Sequence, residues 1–383
     1  MIRGHVIQLN PNNVQANYLA RACGVARFSY NWALTEWQRQ YSEDKAYRDA
    51  CLANGIDIDI SKLNKPSQAK LRREINAIKR VQFPWMLQVS KCAVQLAIKQ
   101  LGDAYKNFFS KQSAYPTKRK KGKDDRFSLS NDQFAIKGKS IRIPNLGWVR
   151  MKEALRLDGK IMSATISSRG DRWFVSVAVE ITKAALPAQK TGKQIGVDLG
   201  VTDLLVLSDG TKIKAPKPLE RNLEKLRLLN KSLSRKKKGS KNRQKAKTKL
   251  SRLHYKIKCI RKNSLHGMTS SLVQKFDLIA IEDLNVKGMI KNKRLSRAIS
   301  DLGFFEFKRQ LIYKASEAGK VVKSVGRFYP SSKSCSNCNY ILSKDMLTLK
   351  TRNWQCPKCL VVHDRDINAS INILNHADKL ITS

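Results

Sequence analysis

"QIGVDLGVTDLLVLSDGTKIK" (194–214) sets one aspartate, Asp198, inside an apolar strand. A buried carboxylate is costly unless it is paired or binds a metal. This chain uses acids sparingly, with 75 Lys and Arg against 30 Asp and Glu. The stretch reads as three consecutive strands, "KQIGVDLG", "DLLVLS" and "GTKIKA", with Asp209-Gly210 as a hairpin turn. A helical region, 218–274, follows, and then a buried strand, "FDLIAIEDL" (276–284), that ends in acids. Next come an amphipathic helix, "FFEFKRQLIYKASEAG", stopping at Gly319, and a strand, "KVVKSVG". After a cysteine-rich segment, "DRDINASINILNHA" opens a last helix.

Three antiparallel strands followed by helix, strand, helix, strand and helix is the order of a ribonuclease-H-like fold. In that fold, carboxylates on the central strand, the neighbouring parallel strand and the last helix converge. Here those positions hold Asp198, Glu282 and the "HDRD" segment (363–366). Converging carboxylates suit hard cations, magnesium above all. Two such ions can activate a water and stabilise the leaving oxygen at a scissile phosphate. Taken singly each acid has an ordinary reading: a solvated strand end for Glu282, a helix N-cap for Asp364 or Asp366. "GVDLG" alone also fits the first strand of an actin-like ATPase, but no further glycine-rich phosphate loop accompanies it. Helix geometry favours Asp366 over Asp364 as the third ligand. Strand alternation puts Asp283 with Ile279 and Ile281, and Glu282 with Ala280 on the other face.

Composition points the same way. A net charge of +45 and a pI near 10.2 call for a polyanion, because each neutralised phosphate releases counterions. Between Arg221 and Lys262 stand eighteen Lys or Arg and one acid, Glu224, over a thin stripe of leucines and isoleucines. We read Arg235, Lys236, Lys237, Lys238 and Arg243 there as phosphate contacts, on a helical hairpin. No apolar run is long enough to span a membrane, and the N-terminus lacks a secretory h-region, so a cytoplasmic protein with reduced cysteines is expected. Cys23, Cys51, Cys92 and Cys259 read as core fillers. Cys335, Cys338, Cys356 and Cys359 form two C-x-x-C knuckles with seventeen residues between them. That is the arrangement of a closed, structural four-thiolate zinc site. Trp354 and the lysines inside this ribbon suit either nucleic-acid contact or, for Trp354, its small core.

Ahead of these elements, "GHVIQLN" reads as a strand and 16–112 as helices broken near Gly55, Pro66 and Pro84. "YPTKRKKGKDDR" (115–126) reads as a basic linker. From 127 to 183 short alternating strands suggest a small antiparallel barrel or sheet, with "ISSRGDRWFVSVAV" as a hairpin. If the opening strand joins that sheet, the helical block is an insertion.

The chain resembles the TnpB proteins encoded by insertion sequences, compact relatives of type V CRISPR effectors. The resemblance runs along essentially the whole length, in "LNPNNVQANYLARACGVARFSYNWAL", "DRWFVSVAVE", "IGVDLGV", "IEDLNVKGM", the two knuckles and "HDRDINASINI". It implies a multidomain α+β protein with a RuvC-like nuclease domain into which a four-cysteine zinc ribbon is inserted. A wedge β-barrel carrying a helical recognition insert would precede it. The corresponding boundaries are 1–15 and 118–188 for the wedge, 16–117 for the recognition domain, 189–330 and 361–383 for the nuclease domain, and 331–360 for the ribbon.

The resemblance also implies an RNA-guided DNA endonuclease, one protein per transposon-end-derived guide RNA. It would recognise a short motif beside a double-stranded DNA target and cut with Mg2+, for which Mn2+ could substitute. It carries over Asp198, Glu282 and Asp366 as catalytic carboxylates, and the four knuckle cysteines as ligands of one Zn2+. Motif-reading residues are expected around Ser130, Asn131 and Gln133 and along the helix with Lys70, Arg72, Arg73 and Lys79. One departure is that the residue after each knuckle, commonly glycine in the family, is Asn339 and Leu360 here; leucine tolerates positive φ poorly. Rival readings are a guided DNA-binding repressor that does not cut, a strand-transfer transposase, and a junction resolvase.

Overall fold

The computed structural model describes residues 1–181, 190–343 and 351–382, with side chains as far as Ala377. It divides into two compact units, Met1–Lys183 and Ala184–Ser383; the expected boundary at 188 lies outside the described residues.

The first unit runs β1 (Ile2–Leu9), α1 (Asn13–Ala53), α2 (Gln68–Gln82), α3 (Cys92–Phe109), β2 (Arg126–Ser130), β3 (Ala135–Lys137), β4 (Ser140–Ile143), β5 (Gly147–Arg150), β6 (Lys160–Arg169) and β7 (Arg172–Glu180). Asn12 starts α1 with a reciprocal cap: its Oδ1 accepts from Gln15 N–H at 2.8 Å, and Gln15 Oε1 accepts from Asn12 N–H at 3.1 Å. With no proline or glycine pair to stop it, α1 continues as one 41-residue helix to Asn54-Gly55. β1 pairs antiparallel with β7, from Ile2 opposite Glu180 to Leu9 opposite Trp173. It thereby forms one edge of a four-stranded sheet ordered β1-β7-β6-β2. The three helices enter the chain between two strands of that sheet. A second sheet, β3-β4-β5, is linked to the first by a bridge from Leu9 to Met151. One apolar core joins Leu19, Leu34, Ile98 and Leu101 of the helices to Leu129, Ile141 and Ile166 of the sheets; removing this much apolar surface from water is what holds the helices to the strands.

The second unit runs β8 (Gln194–Asp198), β9 (Leu205–Leu207), β10 (Lys212–Ile213), α4 (Leu223–Ser234), α5 (Lys241–Lys275), β11 (Leu278–Glu282), α6 (Val286–Lys291), α7 (Ser296–Leu302), α8 (Phe304–Glu317), β12 (Val321–Val325), β13 (Asn353–Gln355), β14 (Val362–Asp364) and α9 (Arg365–Thr382). Its five-stranded sheet is ordered β10-β9-β8-β11-β12. The first three strands are antiparallel neighbours, while β8, β11 and β12 run parallel. α9 packs on β8, β11 and β12, and α5 and α8 pack on each other. The core between them includes Ile195, Val197, Leu272, Ile279, Ile281 and Phe307.

The basic helical region breaks at Gly239, whose φ of +85° lies in the left-handed region, and Ser240 caps the new helix by accepting from Arg243 N–H. Leu226, Leu253 and Ile257 bury the seam of the resulting hairpin. Cys259 corrects one expectation. It is exposed on the outer face of α5, off the Leu253–Ile257 stripe, while Cys23, Cys51 and Cys92 are buried as expected. Trp354 lies in the ribbon's small core with Cys335, Leu342 and Cys356, which decides its role in favour of packing. Lys344 and Lys350 of the ribbon lie outside the described residues. Among the described residues no helix is long and apolar enough to cross a membrane.

Candidate active site and metal centre

Asp198 ends β8, Glu282 ends β11 beside it, and Asp366 stands in the first turn of α9. Parallel strands ending side by side bring the first two together; α9, crossing the sheet, delivers the third. The Asp198 carboxyl is pushed up to about 7, first by burial and then by the negative charges of Glu282 and Asp366. Burial also raises Glu282. Desolvated like charges stabilise the protonated form, a cost that a cation bound between them would offset. The donors are all carboxylate oxygens, which fits a hard divalent ion.

The alternatives at each acid are occupied elsewhere. Asp364 Oδ1 accepts from the N–H groups of Asp366 and Ile367, both at 3.1 Å, and its Oδ2 from Lys212 Nζ at 2.6 Å. It is thus the N-cap of α9 and the partner of Lys212. Asp283 is held by Lys308 at 2.6 Å and Arg327 at 3.4 Å, which lower its pKa. Two charged residues at this site carry no sequence signal. Lys212 feels Asp364, Asp366 and Asp203 together. Arg352 reaches Asp366 at 3.3 Å and Thr202 Oγ1 at 3.4 Å.

The four knuckle cysteines are gathered with their sulfurs all within 4.8 Å of one another. Cys335 to Cys359 and Cys338 to Cys356 are each 3.5 Å apart. A tetrahedral Zn–S site requires sulfurs about 3.8 Å apart, so the cluster is compatible with zinc. Asn339 and Leu360 take φ of +59° and +60°, and their N–H groups each donate at 2.9 Å to the carbonyl of the first cysteine of the knuckle. Both knuckles have therefore the same turn, and Leu360 adopts it at a steric cost of roughly 1 kcal/mol. Leu360 is exposed and loses little packing on truncation. Leu360→Gly is expected to raise the ribbon's stability by about 0.5–1 kcal/mol and to slow metal release to a chelator. A variant that releases metal faster would contradict this.

In the first unit, Lys79 and Gln133 line one cleft of about 270 Å³ with Lys91 and Asn145. Lys79 Nζ donates to Asn76 Oδ1 at 2.6 Å. Ser130, Asn131 and Gln133 follow one another at the end of β2, Asn131 exposed. Arg72 and Arg73 are exposed, whereas Lys70 Nζ donates to the Asn64 carbonyl at 3.0 Å. The 115–126 segment is an ordered loop: Asp124 and Asp125 accept from Lys120 and Gly122 N–H, and Asp125 pairs with Arg27 at 2.7 Å. With Tyr30, Asn107 and Lys118 it borders a cleft of about 850 Å³. On the basic hairpin, Arg235, Lys237 and Lys238 are exposed and Lys236 half-buried. Arg243 donates to the carbonyls of Leu233 at 2.7 Å and Lys236 at 2.8 Å, closing the end of α4.

Residues 175–293 match a family model described as "Probable transposase", 304–373 a Cas12f1-like TNB domain, and 1–46 a helix-turn-helix domain. In this chain the last of these is a strand followed by part of α1, which is continuous. A protein of Streptomyces pristinaespiralis, provisionally named an RNA-guided DNA endonuclease, is 33% identical over 375 residues, covering 95% of this chain and 86% of its own length. The chain belongs to the TnpB family. A similarly named TnpB relative, InsQ of Escherichia coli K12, is 30% identical over 383 residues, covering 96% of this chain and 90% of its own. In fold, this TnpB chain is similar to the protein in a cryo-EM structure of a Cas12f1–sgRNA–target DNA complex. The TM-score is 0.54 at 15% identity, over 95% of this chain and 83% of that one.

Proposed function

We propose that this chain is an RNA-guided DNA endonuclease whose second unit is a RuvC-like, ribonuclease-H-like nuclease domain. The observation that carries the reading is the carboxylate cluster at Asp198, Glu282 and Asp366, with the Asp198 carboxyl pushed up to about 7 first by burial and then by its like-charged neighbours. In this reading the three acids would hold Mg2+, which would supply water activation and charge stabilisation at the scissile phosphate. Asp364 fixes the start of α9, and Lys212 and Arg352 set the positive edge of the site. Cys335, Cys338, Cys356 and Cys359 hold a structural Zn2+. The two sheets of the first unit would form the wedge, with 16–117 as the recognition insert. Lys79 and Gln133, which share a cleft, are the candidates for reading the adjacent motif, with Ser130, Asn131, Arg72 and Arg73 around it. The exposed cations of the α4–α5 hairpin would grip the guide's backbone, while base pairing reads the target.

The test uses protein purified with co-expressed flanking RNA. Its substrate is a plasmid library bearing a guide-matched target beside randomised bases. Magnesium-dependent breaks beside one enriched motif are the expected result. Motif-specific binding without breaks would leave a guided repressor. Joined donor–target products would favour strand transfer, the reading that the transposase description of 175–293 keeps in play.

A further inference from the structure

"INASINI" (367–373) carries two asparagines for which the nuclease reading has no use. Asn368 and Asn372 stand one turn apart on α9, and each is 1% exposed. A buried carboxamide is unfavourable unless its donors and acceptor are paired. Both are paired with one short segment, the one that leads into the first knuckle. Asn372 Nδ2 donates to the carbonyls of Ser331 at 2.8 Å and Ser334 at 2.6 Å. Asn368 Nδ2 donates to the Ser334 carbonyl at 2.8 Å, and its Oδ1 accepts from Ser336 N–H at 2.9 Å.

Ser334 and Ser336 flank Cys335, so the backbone on both sides of a knuckle cysteine is fastened to α9. Asp366 lies two residues before Asn368 on that helix. A second tie runs just ahead of the helix. His363 Nε2 is 3.0 Å from Cys335 Sγ, and its ring lies 4.7 Å from that of Trp354. The ribbon thus holds the start of α9 from both sides, and the ribbon's own small core is four residues plus the two half-buried cysteines. So small a core rarely holds a fold without a metal or disulfide, so ordering of the 331–336 backbone depends on closing the thiolate site.

We propose that Asn368 and Asn372 are positioning residues that make the placement of Asp366 conditional on the metal-closed ribbon. This rests on the reading of Asp366 as a ligand of the carboxylate site. Loss of the ribbon metal frees Ser331–Ser336, the two carboxamides lose their partners, and the first turn of α9 frays.

The test follows hydrogen exchange over 364–370 in the full-length chain, zinc-loaded and after stripping by a chelator under reducing conditions. Mn2+ affinity is measured alongside by calorimetry, with Asp198→Asn as the blank. Stripping wild type is expected to speed exchange in 364–370 and weaken Mn2+ binding, each about tenfold, the usual scale for a lost outer-shell support. Asn368→Ala and Asn372→Ala, still loaded with zinc, should show the same changes, and stripping them should add little. Unchanged protection of 364–370 in stripped wild type overturns the proposal, and needs no variant to fold. Asparagine variants that melt earlier but keep protection and Mn2+ affinity also overturn it, since their role would then be structural alone. Protection lost as expected, with no Mn2+ binding beyond the blank, would sustain the coupling and refute the carboxylate reading instead.

Discussion

Asp198→Asn is expected to abolish DNA cleavage and, in the absence of divalent metal at pH 8, to make the protein more heat-stable than wild type. The catalytic loss should be roughly 10³-fold or more, as when a reacting-centre group is removed elsewhere. The gain in stability follows from charge. The Asp198 carboxyl has an ordinary value of 3.8 and sits at about 7 in the folded chain. An acid with a raised folded pKa binds its proton more tightly in the folded state, so stability falls as pH rises from about 4 to 7 and stays reduced above. Each pH unit in that interval is worth about 1.4 kcal/mol, which sets a ceiling of roughly 4 kcal/mol. Side-chain relaxation and bound counterions reduce this, and we expect about 1–3 kcal/mol, or several degrees in Tm.

Three measurements separate this from a generic stabilisation. The difference between variant and wild type should shrink as pH falls from about 7 and be lost at about 4, where the carboxyl is protonated in the unfolded chain as well as the folded one. Added Mg2+ should raise the Tm of wild type and leave the variant nearly unmoved, because a ligand stabilises only the fold that binds it. Glu282→Gln should reproduce the stabilisation with smaller size, since Glu282 adds to the field at Asp198. If Asp198→Asn melts at or below wild type at pH 8 without metal, the three carboxylates do not repel one another as their placement requires.

The acids and knuckles could be read in the sequence because their chemistry is local. A lone aspartate in an apolar strand, or two thiols two residues apart, states its need wherever the chain goes. The sheet order was readable too, since β8–β10 are joined by short turns and β11 and β12 are each preceded by a helix. Residues whose role depends on distant partners gave no such signal. Arg352 and Lys212 are two cations among 75, and only the fold brings them to Asp366 and Asp364. Asn368 and Asn372 look like ordinary helix-surface amides until the knuckle segment is laid against them. Asp366 and Glu282 were already preferred on helix geometry and on the family resemblance; the fold adds that Asp364 caps α9 and that Asp283 pairs with Lys308. Cys259 was misjudged because apolar neighbours in a sequence do not fix which face of a long helix is covered. α1 runs unbroken to the stop expected near Gly55, where Asn54 caps it.

Gly196 supports the second large effect. It lies in β8 two residues before Asp198, where α9 crosses the sheet. A Cβ built on it would stand 1.9 Å from the Ser370 carbonyl oxygen and 3.0 Å from Leu374 Cβ. The obstacle is helix backbone, which cannot rotate out of the way as a flexible side chain would. Ser370 is fully buried, and α9 is packed further along by Ile373 and Ala377 against Ala280 and Val325. Gly196→Ala must therefore lift α9 from β8 or bend the strand, and we expect a loss of about 3 kcal/mol or more, at the upper end for overpacked cores. Asp366 lies one turn before Ser370, so the same displacement carries it away from Asp198. A misplacement near 1 Å can lower a rate about 100-fold, and cleavage should fall by that order even at temperatures where the variant stays folded. Gly267→Ala supplies the control of opposite sign: no atom lies within 4 Å of its Cβ position, in the interior of α5. There the methyl meets open space and the helix gains up to about 1 kcal/mol. Thermal melting and cleavage of the two variants, measured side by side, distinguish close approach from the general effect of adding a methyl group. Equal melting temperatures for Gly196→Ala and wild type would mean that α9 does not press on β8, and the carboxylate cluster would lose the contact that assembles it.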